Sequence, residues 1–196
     1  MSPSLEQLSD GFRRLLAPAA GLSAAASALG GASEPCPGLG QVGQVGAAAP
    51  GGAAEPFPSP APLPTGAVQA VDYSARGFHL EARVSPAQVV AAATLLDRHG
   101  FSLDTVTGVD WIAQGEMEVI YDFFHPAAGW RIAVRTRLPR GNADVPTISG
   151  IFPGANWHER ETHEFLGIRF LGHPNLSPLL LPEDADYYPL RKDFGA

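Results

Sequence analysis

Two β-prone runs around one turn decide the fold class: Glu116-Met117-Glu118-Val119-Ile120-Tyr121-Asp122-Phe123-Phe124, then His125-Pro126-Ala127-Ala128-Gly129, then Trp130-Arg131-Ile132-Ala133-Val134-Arg135-Thr136-Arg137-Leu138. In the second run Trp130, Ile132, Val134 and Thr136 alternate with Arg131, Ala133, Arg135 and Arg137. A period of two is that of a strand with one face buried, so the pair reads as an antiparallel hairpin. Glu118 and Asp122 are expected to face Arg131 and Arg135 across it.

Upstream, residues 77–84 alternate in the same way, with Phe78, Leu80, Ala82 and Val84 on one face and His79, Glu81 and Arg83 on the other. This predicts a half-buried strand. Ser85, Pro86 and Gln88 form a capping box that opens a helix whose buried side is Val89, Val90, Ala93 and Leu96, and Gly100 stops it. Residues 101–109 read as another strand. Downstream, a short helical turn is predicted near 146–152, then a helix over Ala155–Leu166 ended by Gly167, then Pro-punctuated extended chain from Ile168 on. Strands, then helices, then an arm predict an α+β domain: a small mixed or antiparallel sheet with packed helices and an extended C-terminal arm. The expected division is a short amphipathic helix (1–16), a linker (17–66), the α+β domain (67–170) and an extended docking tail (171–196).

The leader differs sharply in composition. About two-thirds of residues 17–66 are Ala, Gly or Pro, and the charges there are Glu34 and Glu55. Such chain has no core-forming pattern, so it is expected to be disordered or to order on partners. Residues 57–64, Pro at every second position, read as polyproline-like. Before it, Leu5, Leu8, Phe12, Leu15 and Leu16 lie near helical spacing, a stripe that either docks on a partner or folds back. Arg13-Arg14 before an Ala-rich run imitates an export signal, but Glu6 and Asp10 occupy what would be its basic region, which favours a cytoplasmic chain.

The 196 residues carry 13 Lys+Arg against 20 Asp+Glu, a net charge of −7, which argues against a nucleic-acid partner. One cysteine excludes an intramolecular disulfide framework and falls short of a Cys-ligated cluster or structural zinc. No apolar run approaches the roughly 18–20 residues of a membrane span, so any membrane association is indirect.

Motif-like stretches mostly dissolve on inspection. Gly38, Gly40 and Gly43 match a dinucleotide fingerprint on paper, yet Glu34-Pro35-Cys36-Pro37 precedes them and Gly/Ala coil follows, where the motif needs a strand and a helix. His158 and His163 are five residues apart, roughly 140° around a helix, so one helix does not offer both to one metal. Cys36 has no sequence-local activating group, and Glu159, Glu161 and Glu164 are not an acid–base pair on spacing alone.

Two stretches keep their interest. The 155–166 helix carries His158, Glu159, Arg160, Glu161, His163 and Glu164 besides Trp157, Phe165 and Leu166. Either Glu159–His163 and Arg160–Glu164 pair at i, i+4 on a solvated helix, or the charges meet groups elsewhere on the fold or on a partner. The arm mixes Leu179-Leu180-Leu181, Tyr187-Tyr188-Pro189-Leu190 and Phe194 with Arg191-Lys192, and Lys192 is the only lysine. Laying it across another protein would bury those side chains at roughly 25 cal/mol per Å².

Together these residues resemble a known family. Trp157-His158-Glu159-Arg160-Glu161-Thr162-His163-Glu164-Phe165-Leu166-Gly167-Ile168 resembles the W-x-E-R-E-x-x-[DE]-x-x-G-I signature of the 30 kDa (C) subunit of NADH–quinone oxidoreductase, respiratory complex I. Phe170-Leu171-Gly172-His173-Pro174-Asn175-Leu176, Leu180-Leu181-Pro182-Glu183-Asp184 and Tyr188-Pro189-Leu190-Arg191-Lys192-Asp193-Phe194 continue it in order. Gly108-Val109-Asp110-Trp111 and Val145-Pro146-Thr147-Ile148 fall where the family has similar segments. The resemblance covers the folded domain and none of residues 1–66.

It implies a subunit of the peripheral arm at the cytoplasmic face of the membrane, with no catalytic residues and no cofactor of its own. Such a subunit packs against the large quinone-site (D) subunit, which is hydrogenase-like, and against adjacent iron–sulfur subunits. NADH, flavin, iron–sulfur clusters and quinone are then expected on those partners. The resemblance marks Trp157, Glu159, Arg160, Glu161, Glu164, Gly167, Gly172, His173 and Pro174 as signature residues, and Pro189, Leu190, Arg191, Lys192, Asp193 and Phe194 as the docking tail. Membrane-bound hydrogenase and formate hydrogenlyase-type complexes use homologous subunits beside a nickel–iron centre. Glu164-Phe165-Leu166 departs from the Asp-Met-Phe or Asp-Leu-Phe common in complex I, and the leader is atypical, so that alternative stays open.

Overall fold

The computed structural model describes residues 4–17 and 64–195. The readings of the linker, the 38–43 glycines, Cys36 and most of the 57–64 run lie outside the described residues. The hairpin is the centre of a five-stranded sheet in the order β1-β2-β5-β4-β3. Its strands are β1 (Val68–Ala70), β2 (Leu80–Arg83), β3 (Ser102–Trp111), β4 (Glu116–Phe124) and β5 (Arg131–Pro139). β2 runs parallel to β5 and the other pairs are antiparallel, so the sheet is mixed. The helices are α1 (Leu5–Leu16), the short α2 (Tyr73–Arg76), α3 (Val89–Arg98) and α4 (Ala155–Leu166). The α+β class stands.

The period of two places Leu80, Ala82, Ile132, Val134, Leu138, Phe123, Tyr121, Val119, Met117 and Val106 on one sheet face, all buried. Helices α1, α3 and α4 contribute Leu8, Phe12, Ala92, Ala93, Leu96 and Leu166 to the same core. α1 therefore folds back: it packs on α3 and on β1 and β2, and Gln88 Nε2 donates to the Leu15 carbonyl (3.3 Å). Its N-terminus carries a capping box between Ser4 and Gln7.

Several expectations need correction. The buried side of α3 holds Val89, Ala93 and Leu96 as expected, but its margin is Ala92 rather than Val90, which is exposed; Pro86–Gln88 before it winds as a tighter 3₁₀ turn. The strand at 80–83 is buried on both faces, since Arg135 and Arg137 lie over Glu81, Arg83 and Glu118 on the outer side. The hairpin register is set at Phe124↔Arg131 by a loop in which His125 N–H donates to the Trp130 carbonyl. Glu118 therefore faces Arg137, Asp122 faces Ala133, and Arg131 pairs with Asp104 instead. Arg135 still reaches Glu118 diagonally at 3.6 Å.

Residues 146–152 are not simply a helical turn. β6 (Asp144–Pro146) pairs in parallel with β7 (Arg169–Leu171), a strand inside the chain expected to be irregular. Three-residue strands paired across a whole helix leave no periodicity to read.

α4 crosses β3 at Gly108, which shares the core face with Val119. A Cβ there would press into the Leu166 side chain and lie 2.8 Å from Thr162 Cγ2, so the close approach requires glycine. Gly108→Val is expected to destabilise the fold by about 1–3 kcal/mol, as overpacked cores do. A urea midpoint equal to wild type would show that α4 does not rest on this position.

Candidate functional site

The signature charges of α4 do not pair along the helix; Glu159, Arg160 and Glu164 each turn to a different segment. Glu159 is fully buried and accepts from the Thr147 hydroxyl and from Ile148 N–H (2.9 Å), fastening the chain after β6. Arg160 donates to the carbonyls of Ser177 (2.9 Å) and Pro178 (2.8 Å), with its guanidinium 5.5 Å from the Trp157 ring centre. His163 Nδ1 meets the Ile168 carbonyl (2.8 Å). Glu161 is exposed.

Glu164 is buried and receives three successive backbone amides: Leu179 N–H to Oε2 (2.7 Å), Leu180 N–H to both oxygens (3.0 Å) and Leu181 N–H to Oε2 (3.2 Å). Pro178 and Pro182 bracket these residues and have no N–H, so the amides available to this turn converge on one carboxylate.

The end of the tail is held a second time. Asp110 lies on the core face of β3 and takes Arg140 in a bidentate fork (Nε to Oδ1 2.9 Å, Nη2 to Oδ2 3.0 Å). It also accepts Lys192 N–H (2.9 Å), while Arg140 Nη2 continues to Asp193 Oδ1 (2.7 Å). Hydrogen bonds from Arg140 hold the Asp110 and Asp193 carboxyls below the usual carboxylate range. Arg191 Nε donates to the Leu166 carbonyl (2.7 Å), its guanidinium lies 4.1 Å from the Tyr188 ring centre, and Leu190 N–H reaches the Phe165 carbonyl (3.2 Å).

Gly167, at φ +77°, ends α4 where this tail crosses; a Cβ would collide with Arg191 and come within 2.8 Å of Tyr188. Arg191 is thus engaged within the chain, by its Nε on the Leu166 carbonyl and its guanidinium over the Tyr188 ring. Pro189 is half-buried, and the Lys192 side chain is on the outside.

Besides Glu183, Asp184, Asp186 and Lys192, the tail leaves large apolar side chains outward. Leu180, Leu190 and Phe194 are exposed by 66%, 60% and 51%, and Phe194 stacks on Tyr187 with ring centres 5.6 Å apart. At the other end of α4, Trp157 (60% exposed) borders an open groove of about 540 Å³ with Thr147, Ser149, Asn156, Gly172 and Pro174. His173 sits behind it, its Nε2 3.9 Å from Glu159 Oε2. Sequence reasoning missed Asp110, Arg140 and Thr147 as working residues. A signal existed for Asp110: it is a charge at a position whose parity, shared with Val106 and Gly108, is that of the core.

Comparison with known proteins follows the same residues. Residues 82–196 match the family described as the respiratory-chain NADH dehydrogenase, 30 Kd subunit. The chain belongs to this family, and it is a complex I-like 30 kDa subunit. It is 38% identical over 120 residues to the C subunit of the NADH-quinone oxidoreductase of Roseiflexus sp. (strain RS-1), covering 58% of this chain and 68% of that one. It is 37% identical over 102 residues to the C/D subunit of the NADH-quinone oxidoreductase of Serratia proteamaculans, 52% of this chain but 17% of that longer one. Among solved structures it is similar to a chain of the archaeal membrane-bound sulfane sulfur reductase, a respiratory membrane complex, with a TM-score of 0.54, 31% identity, and coverage of 58% of this chain and 70% of that one. These relatives are subunits of multisubunit respiratory complexes. No helix among the described residues is long and apolar enough to cross a membrane.

Proposed function

We propose that this chain is a non-catalytic docking subunit of the peripheral arm, at the cytoplasmic face of the membrane, supporting electron transfer from NADH to quinone and the coupled ion translocation. The carrying observation is the division of labour in the tail. Several of its backbone amides and the Asp193 and Arg191 side chains are satisfied by Glu164, Asp110, Arg140 and Leu166, while Leu180, Leu190 and Phe194 stay more than half exposed. Large exposed anchors in a well-held segment are what an interface uses. The large quinone-site subunit is the partner in this reading; the C/D relative, one polypeptide bearing both letters, supports it. Adjacent iron–sulfur subunits complete the surroundings, and NADH, flavin, iron–sulfur clusters and quinone reside on partners rather than on this chain.

The test is Leu190→Ala with Phe194→Ala. Removing two desolvated anchors is expected to cost about 2 kcal/mol or more, roughly thirtyfold in affinity. The double variant should keep its circular dichroism spectrum yet lose recovery with the large subunit, and complex-dependent oxidoreductase activity should fall in step. Wild-type recovery would overturn the docking role. The purified chain should also show no visible absorbance after iron–sulfur reconstitution; a flavin or cluster band would refute the cofactor assignment.

The likeness to the sulfane sulfur reductase chain favours a second reading, in which the complex is of the membrane-bound hydrogenase or formate hydrogenlyase type with a nickel–iron centre on the large subunit. Metal analysis of the co-purified large subunit separates the two: nickel selects the second.

A further inference from the structure

We propose that Glu164 and Asp110 are positioning residues that seat the docking tail on its own domain before any partner arrives. This rests on the docking reading above. A free tail would order its residues at the moment of binding, and that entropy would come out of the affinity; a tail already held in the bound shape avoids the loss. Two buried carboxylates hold it at separate points. Glu164 gathers the amides of Leu179, Leu180 and Leu181 and so fixes Leu180, whose side chain is exposed. Asp110 takes Lys192 N–H and, through Arg140, Asp193, and so fixes the stretch between Leu190 and Phe194.

Both carboxylates stand on regular elements, α4 and β3, that cross at Gly108, so the two clamps share one rigid base. Neither residue is exposed, and neither is an anchor itself. Their effect on a partner passes through the tail.

Amide hydrogen exchange of the full-length chain, without partner, tests this directly. In wild type, the amides of Leu179, Leu180, Leu181 and Lys192 should exchange at least tenfold more slowly than in unstructured chain. Glu164→Gln should accelerate 179–181 about tenfold while leaving β4 and β5 unchanged, and Asp110→Asn should accelerate Lys192. Both variants should recover less of the large quinone-site subunit although Leu180, Leu190 and Phe194 are intact.

Unprotected amides in wild type overturn the inference whatever the binding data say. Protection lost in the variants with binding unchanged also overturns it, and if Leu190→Ala with Phe194→Ala still abolishes recovery in that case, the docking reading survives alone. If that double variant binds normally too, both fail.

Discussion

Phe12→Ala is expected to cost the isolated chain about 3–5 kcal/mol, the usual range for deleting a buried aromatic ring. The Phe12 ring is fully buried on the inner side of α1, as is Leu8 one turn earlier, and the helix packs on α3 and the β1–β2 edge. With typical domains stable by only about 5–15 kcal/mol, a loss of that size should lower the urea midpoint severely and leave the slope near its wild-type value. The experiment decides between the two fates the amphipathic stripe allowed. A helix reserved for a partner would leave the free chain's midpoint unchanged on Phe12→Ala; a helix built into the core cannot. Phe12→Leu, which keeps most of the apolar volume, should lose much less.

The sheet's central strands, α4 and the start of α3 were legible because each is a local pattern: alternation in 130–138, a capping box at Ser85 and Gln88, and a helix closed by Gly167. The margin of α3's buried side was not, because Val90 and Ala92 flank the Val89, Ala93, Leu96 stripe on opposite sides and the helical period alone does not choose between them. β6 and β7 were invisible for another reason: three residues carry no period, and their pairing is decided by packing between segments 25 positions apart in register. The site divides in the same way. The charges of α4 could be singled out in sequence with the solvated and the engaged readings both open, but Arg160 and Glu164 find backbone carbonyls and amides of the tail and Glu159 the chain after β6, which no side-chain pattern announces. Arg191 illustrates the limit. In sequence it is a basic residue in an apolar tail, with every appearance of a partner-seeking group. In the structure its guanidinium serves the Leu166 carbonyl and the Tyr188 ring.

Glu159 should make the protein's stability depend on pH in a direction opposite to that of Asp110, Asp144 and Asp193. The carboxyl is fully buried, accepts from the Thr147 hydroxyl and Ile148 N–H, and burial pushes it up to about 7 from an ordinary 4.5. The titratable neighbours on the packed elements are Tyr121 of β4, whose hydroxyl is itself raised by burial and by Glu159, and His173. His173 Nδ1 accepts Asn175 N–H (3.1 Å), which leaves the proton on Nε2 toward the Asn156 carbonyl (3.2 Å), and burial lowers its affinity for a second proton. Neither neighbour is a cation at neutral pH.

Because the folded value lies above the unfolded one, the native state holds the extra proton. The stabilisation is complete below about 4.5 and is lost as pH rises through about 7. A shift of this size corresponds to about 3 kcal/mol. His173 has the reverse sign, its contribution present above its ordinary value and lost on acidification. Asp110, Asp144 and Asp193, all lowered by arginine hydrogen bonds, likewise lose theirs only in acid.

Glu159→Gln isolates the one group, since the amide keeps the volume and an acceptor for Ile148 N–H but does not titrate. Relative to the variant, wild type should lose about 3 kcal/mol between about pH 4.5 and about pH 8, read as diverging urea midpoints. Parallel midpoints across that range would mean the Glu159 carboxyl ionises at its ordinary value, and that the buried side of α4 is wetter than its hydrogen bonds imply.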